Sequence, residues 1–208
     1  MTQKTFTITV WSLFVVSAGL GIIAWGQTVN WQLGSLTPYQ WFPLFGIVAW
    51  LIMWTHYATG FLRLTNPGLK SIKYYSKVTG WIVLASLLLH PGILAFSQYR
   101  NDQGLPPDSY INYVGESLAL AVMLGVIGVT IFLSFEVFNR LKHNKTIKKY
   151  WTAVSISQSL AMTIIFVHGL RLGTSLGDGW FRIIWIIFGI ALIPCFYVIH
   201  RADFTRKD

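Results

Sequence analysis

Six apolar runs fill most of the 208-residue chain: Phe6–Trp25, Trp41–Leu62, Val78–Phe96, Val114–Phe135, Trp151–Leu170 and Trp180–Val198. Each is close to the length of about 20 residues that carries a helix across a bilayer. Hydrocarbon offers no hydrogen bonds, so a spanning segment must satisfy its own backbone, and runs this long do so as helices. The expected fold is all-α: a polytopic membrane protein built as one six-transmembrane-helix bundle, a single domain over residues 1–208. Composition agrees, with 54% hydrophobic and 11% charged residues, against about 25% charged in a soluble domain. The runs leave no length for a soluble catalytic domain. The first is longer than the core of a cleavable signal peptide and no small-residue cleavage motif follows, so it reads as a retained helix. Cys195 has no partner for a disulfide.

Charge placement orients the bundle. Thirteen of the 16 basic residues fall at the N-terminus (Lys4), after the second run (Arg63, Lys70, Lys73, Lys77), after the fourth (Arg140, Lys142, Lys145, Lys148, Lys149) and after the sixth (Arg201, Arg206, Lys207). Only Arg100, Arg171 and Arg182 fall on the other face. Positive loops stay inside, so both termini are expected in the cytoplasm, most simply at a bacterial inner membrane. The basic clusters then orient the chain and touch anionic lipid, and nucleic acid is not an expected partner.

Two histidines lie deep in these runs, His90 in the third and His168 in the fifth. An ionisable side chain in lipid is costly and usually serves a function facing the bundle interior. Both runs go outward, which puts His90 roughly 20 Å and His168 roughly 27 Å from the inner ends at 1.5 Å per residue. Two imidazoles at similar depth on different helices are what an axially ligated haem requires. Gly80, Ser86 and Gly92 would leave room for a flat macrocycle. Pro91 would loosen the helix beside its ligand. Ser157 and Ala161 share the face of His168, and Arg171 stands where a propionate would emerge. His56 and His200 belong to the inner half: they would ligate a second haem, line a quinone pocket, relay protons or serve only packing. His143 is expected to be solvent-exposed in the basic loop.

The stretch from Lys73 to Arg171 resembles the ferric reductase-like transmembrane family, which includes NADPH oxidase membrane domains and the haem subunit of the methionine sulfoxide reductase system. The resemblance rests on a basic start, a glycine and a deep histidine (Lys77-Val78-Thr79-Gly80 through Leu89-His90). It rests also on the basic loop Lys145-Thr146-Ile147-Lys148-Lys149 before Tyr150-Trp151 and the run ending in His168. Two-haem members carry histidines where this chain has Ser76 and Ser155. The resemblance therefore implies one haem b in the outer half, held by His90 and His168, and a lost inner site.

The expected function is electron transfer in the membrane. No Gly-rich dinucleotide fingerprint is present, so no flavin or nicotinamide site is expected. The donor would be quinol or a separate flavoprotein. The alternative is a haemless channel, transporter or assembly subunit using buried histidines for proton relay or packing. No lysine lies within a run, which leaves a retinal Schiff base without an anchor.

Overall fold

In a computed structural model, residues 1–141 and 144–205 are described; Lys142, His143, Arg206 and Lys207 lie outside them, so the expectations for these residues go no further. The described chain folds into eight α-helices: α1 (Gln3–Thr28), α2 (Pro38–Thr65), α3 (Lys73–Arg100), α4 (Asp108–Val114), α5 (Ala119–Arg140), α6 (Lys145–Lys149), α7 (Trp151–Leu172) and α8 (Trp180–Thr205). No strand occurs among the described residues. Six helices are long and apolar enough to cross a membrane; α4 and α6 are the short ones. The protein is accordingly an integral membrane protein whose apolar helix surfaces suit lipid.

Every expected run became a helix, but most helices extend past the apolar limits. Capping explains the ends better than hydropathy does. Thr2 Oγ1 accepts from Thr5 N at 3.2 Å to start α1. Pro38 opens α2, where its missing N–H costs nothing, and Gln40 Oε1 accepts from Thr37 N–H at 2.9 Å. The fourth run departs most. Gly115 at φ 90° breaks it, leaving α4 on one side and α5 on the other. Any side chain there would be strained at that φ.

Successive long helices run antiparallel, so the N-terminus and the end of α8 share one end of the bundle, here called the near end. Gln3 ties the start of α1 to the α2–α3 loop there through Lys70. At the far end, Asn101 Nδ2 donates to Tyr39 Oη at 2.9 Å and Trp180 Nε1 to Gln27 Oε1 at 3.0 Å.

α2 is the central helix, more than half buried, whereas the other five long helices bury about a fifth of their most apolar stretch. It packs against α1, α3 and α8, while α5 packs along α7. The core centres on Trp50 and Trp185, stacked at 3.9 Å between ring centroids. Their indole N–H groups donate to backbone carbonyls of α7, at Met162 and Phe166. α3 makes no extended contact with α5 or α7. The bundle thus contains two tight antiparallel hairpins, α2–α3 and α5–α7, with a loosely packed seam between them.

Candidate functional site

His90 and His168 meet across that seam. Their ring centroids lie 6.3 Å apart and their planes are nearly perpendicular, at 89°. Both are half-buried. His90 Nδ1 lies 2.8 Å from the Phe42 carbonyl and His168 Nδ1 lies 2.8 Å from the Ala121 carbonyl. A carbonyl only accepts, so each Nδ1 carries the hydrogen and donates it. Each neutral ring therefore keeps its lone pair on Nε2.

A glycine seats each ring. A methyl built on Gly46 would lie 2.8 Å from His90 Cε1, and one on Gly125 would lie 2.5 Å from His168 Cε1. The carbonyl that takes each Nδ1–H lies four residues before that glycine, Phe42 before Gly46 and Ala121 before Gly125. Both hairpins thus hold their histidine by the same device. Nothing in the sequence reads as a repeat, because the shared features are one glycine and one backbone carbonyl.

Two imidazoles whose Nε2 atoms both faced one metal, at a metal–nitrogen bond of about 2 Å, would have ring centroids roughly 6.3 Å apart, the separation seen here. The Nδ1–H bonds to carbonyls are the arrangement that fixes tautomer and orientation in metal-bound histidine.

The remaining sequence candidates separate clearly. Gly80 and Gly92 have no atom within 4 Å of an added methyl and lie on the exposed side of α3. Gly46 and Gly125 instead lie against the two histidine rings, and neither was apparent without the register of the partner helix. Ser86 and Ala161 are buried. Pro91 lies within a continuous α3, and its carbonyl accepts from Tyr110 Oη at 2.6 Å. Arg171 is exposed at the far end of α7 and pairs with no carboxylate among the described residues.

His56 and His200 are not brought together. His56 Nε2 lies 2.8 Å from Thr79 Oγ1 in the α2–α3 interface. Thr79 spends its own hydrogen on the Tyr75 carbonyl at 2.7 Å, so His56 Nε2 is the donor. His200 instead bonds Ser159 Oγ at 3.0 Å, and Ser159 bonds Tyr57 Oη at 3.2 Å, joining α8, α7 and α2. Ser76 is exposed and Ser155 half-buried. Among the described residues, no second pair of imidazole rings stands in contact.

α4 roofs the site at the far end. Tyr110 anchors it to Pro91, next to His90, and Tyr113 lies edge-on to Phe42 at 6.4 Å. Phe42 in turn lies 5.3 Å from the His90 ring. Burial raises the pKa of both tyrosine hydroxyls, with neighbouring Tyr39 adding to the effect at Tyr113. Both therefore stay protonated, and Tyr110 remains a donor to Pro91. Tyr113 stacks on Tyr39 at 5.4 Å. A line of aromatic rings thus runs from His90 through Phe42 and Tyr113 to Tyr39 at the far face.

Comparison with protein-family models, curated proteins and solved structures finds no match.

Proposed function

We propose that this chain is a membrane-embedded haem b protein that transfers electrons, with His90 and His168 as the two axial ligands. The observation carrying this reading is the 6.3 Å separation of two rings whose Nδ1–H groups are both committed to backbone carbonyls. Bound there, haem iron supplies a one-electron ferric–ferrous couple.

The chain's own residues orient and shield. Gly46 and Gly125 let the Cε1 edge of each ring approach the neighbouring helix closely. The Phe42 and Ala121 carbonyls raise ligand basicity through the Nδ1–H bonds and so favour the ferric state. The seam between the hairpins gives the group an apolar surround, and α4 limits water from the far face. Arg171 stands at the same end as a partner for one propionate. The basic loops assign the near end to the cytoplasm, which puts the haem in the outer half of the membrane, in a bacterial inner membrane. Electrons then come from quinol in the bilayer or from a separate flavoprotein. One haem per chain is the expected load, since His56 and His200 are engaged in separate hydrogen-bond networks.

The competing reading, a haemless channel or assembly subunit with relaying histidines, gains little. The hydrogen-bond chains around His56 and His200 are separate, one through Thr79 to Tyr75 and the other through Ser159 to Tyr57.

The test is a reduced-minus-oxidised spectrum of purified protein with a pyridine haemochrome count. The wild type should show a low-spin b-type spectrum, and His90→Ala and His168→Ala should each abolish it. Unchanged haem content in both variants would sink the assignment.

A further inference from the structure

One recess at the far end collects negative features that no protein group offsets. It lies between the end of α1 and the loop from α7 to α8, with Gln27, Thr28, Asp178, Trp180 and Phe181 among its lining, and holds about 220 Å³. Asp178 pairs with no cationic side chain among the described residues. Arg182, four residues on, donates from Nη1 to the Leu176 and Gly177 carbonyls instead, at 2.8 and 3.0 Å. α1 ends at Thr28 with no basic residue in its last turn, and a helix C-terminus carries partial negative charge.

The hydrogen bonds around the recess leave acceptors over. Thr28 Oγ1 gives its hydrogen to the Trp25 carbonyl at 2.7 Å, so its lone pairs remain. Gln27 Oε1 accepts from Trp180 Nε1 at 3.0 Å and keeps a second lone pair, while that bond uses the indole's one donor. The ionised Asp178 carboxylate only accepts. The complement to these oxygens is a cation rich in N–H groups, and a primary ammonium has three donors and no acceptor. The rings of Trp180 and Phe181, 5.4 Å apart, add faces that attract cations. A hard divalent cation takes six or more oxygens, often from several carboxylates, and only one carboxylate lines the recess.

Size and depth narrow the ligand further. Drug-sized molecules occupy pockets of roughly 300–1,000 Å³, so this recess suits a small head group. Trp31 and Trp180 are exposed at the same end, and exposed tryptophans mark the level of lipid headgroups. We propose that the recess binds a primary ammonium group, presented by the ethanolamine headgroup of a membrane lipid or by a small free amine. The inference stands apart from the haem reading.

Native mass spectrometry of the purified full chain tests it, with phosphatidylethanolamine and phosphatidylcholine of matched acyl chains. The two headgroups share their charges, but choline has no N–H. Wild type should retain phosphatidylethanolamine about two- to fivefold better, the strength of an exposed ion pair. Asp178→Asn should erase that preference. Asp102→Asn, at another exposed far-end carboxylate, should keep it. Equal retention of the two lipids by wild type, or equal loss of preference in both variants, would overturn the proposal. Added ethanolamine separates the sources: displacement of the lipid at millimolar concentration would show that a free amine suffices, and retention would assign the site to the lipid.

Discussion

A methyl group at Gly125 would strike the His168 ring at 2.5 Å, and one at Gly46 would strike His90 at 2.8 Å. Usually a side-chain end can swing aside. These rings cannot do so freely, because Nδ1 is tied to a carbonyl and, on the proposed reading, Nε2 would hold the iron. Gly125→Ala and Gly46→Ala should therefore loosen the haem by about 1–3 kcal/mol, the usual cost of overpacking, or roughly ten- to a hundredfold in dissociation. Haem-release rates measure this, and Gly80→Ala, facing open space, serves as the control. Wild-type retention in both seat variants would mean that the rings adjust at no cost. The histidines were legible in the sequence because a lone imidazole in an apolar run is conspicuous. Their glycines were not. A seat is defined by which residue of the neighbouring helix lies opposite, and hydropathy carries no register. For the same reason Gly80 and Gly92, near His90 in sequence, drew attention although they face away.

At the scale of elements, the six long helices were readable because lipid imposes their length. The break at Gly115 was not, since the residues after it continue the apolar run. The short α4 was not legible either, because it falls in the polar loop before that run: its value is tertiary, through Tyr110 and Tyr113, and its seven residues would not hold as an isolated helix. The pairing of helices also escaped the sequence. α8 leans on α2 more than on its neighbour in the chain, because Trp54 and Phe188 stack at 4.1 Å and Trp54 Nε1 donates to the Phe188 carbonyl at 2.8 Å. The proposed orientation belongs here too. In a Cys195→Ala background, Gln103→Cys in the α3–α4 loop should label with an impermeant thiol reagent in intact cells. Lys145→Cys, at the start of α6, should label only after permeabilisation. The opposite result would turn the bundle over and move the haem to the inner half.

For the whole molecule, the placement of the other histidines bears on the proposed haem load. His56 and His200 sit in different interfaces, so the haem-to-chain ratio should be near one and should not change in His56→Ala or His200→Ala. Those variants should cost only stability, about 1–3 kcal/mol for the polar partners left behind. A ratio near two that falls in either variant would show a second centre built from these ligands.

The matching seats in the two hairpins bear on how such a protein is born. Each half carries its own imidazole, already parked and already in the right tautomer, before the other half has left the ribosome. Neither half needs the second to prepare it, and the packing of α2 on α8 around Trp50 and Trp185 is what brings the two halves together. A gene split within the exposed Asn101–Leu105 stretch should therefore yield two polypeptides that reunite in the membrane. Co-expression should recover the low-spin spectrum that neither fragment gives alone. Failure to recover it would mean that the connecting loop also sets the assembly.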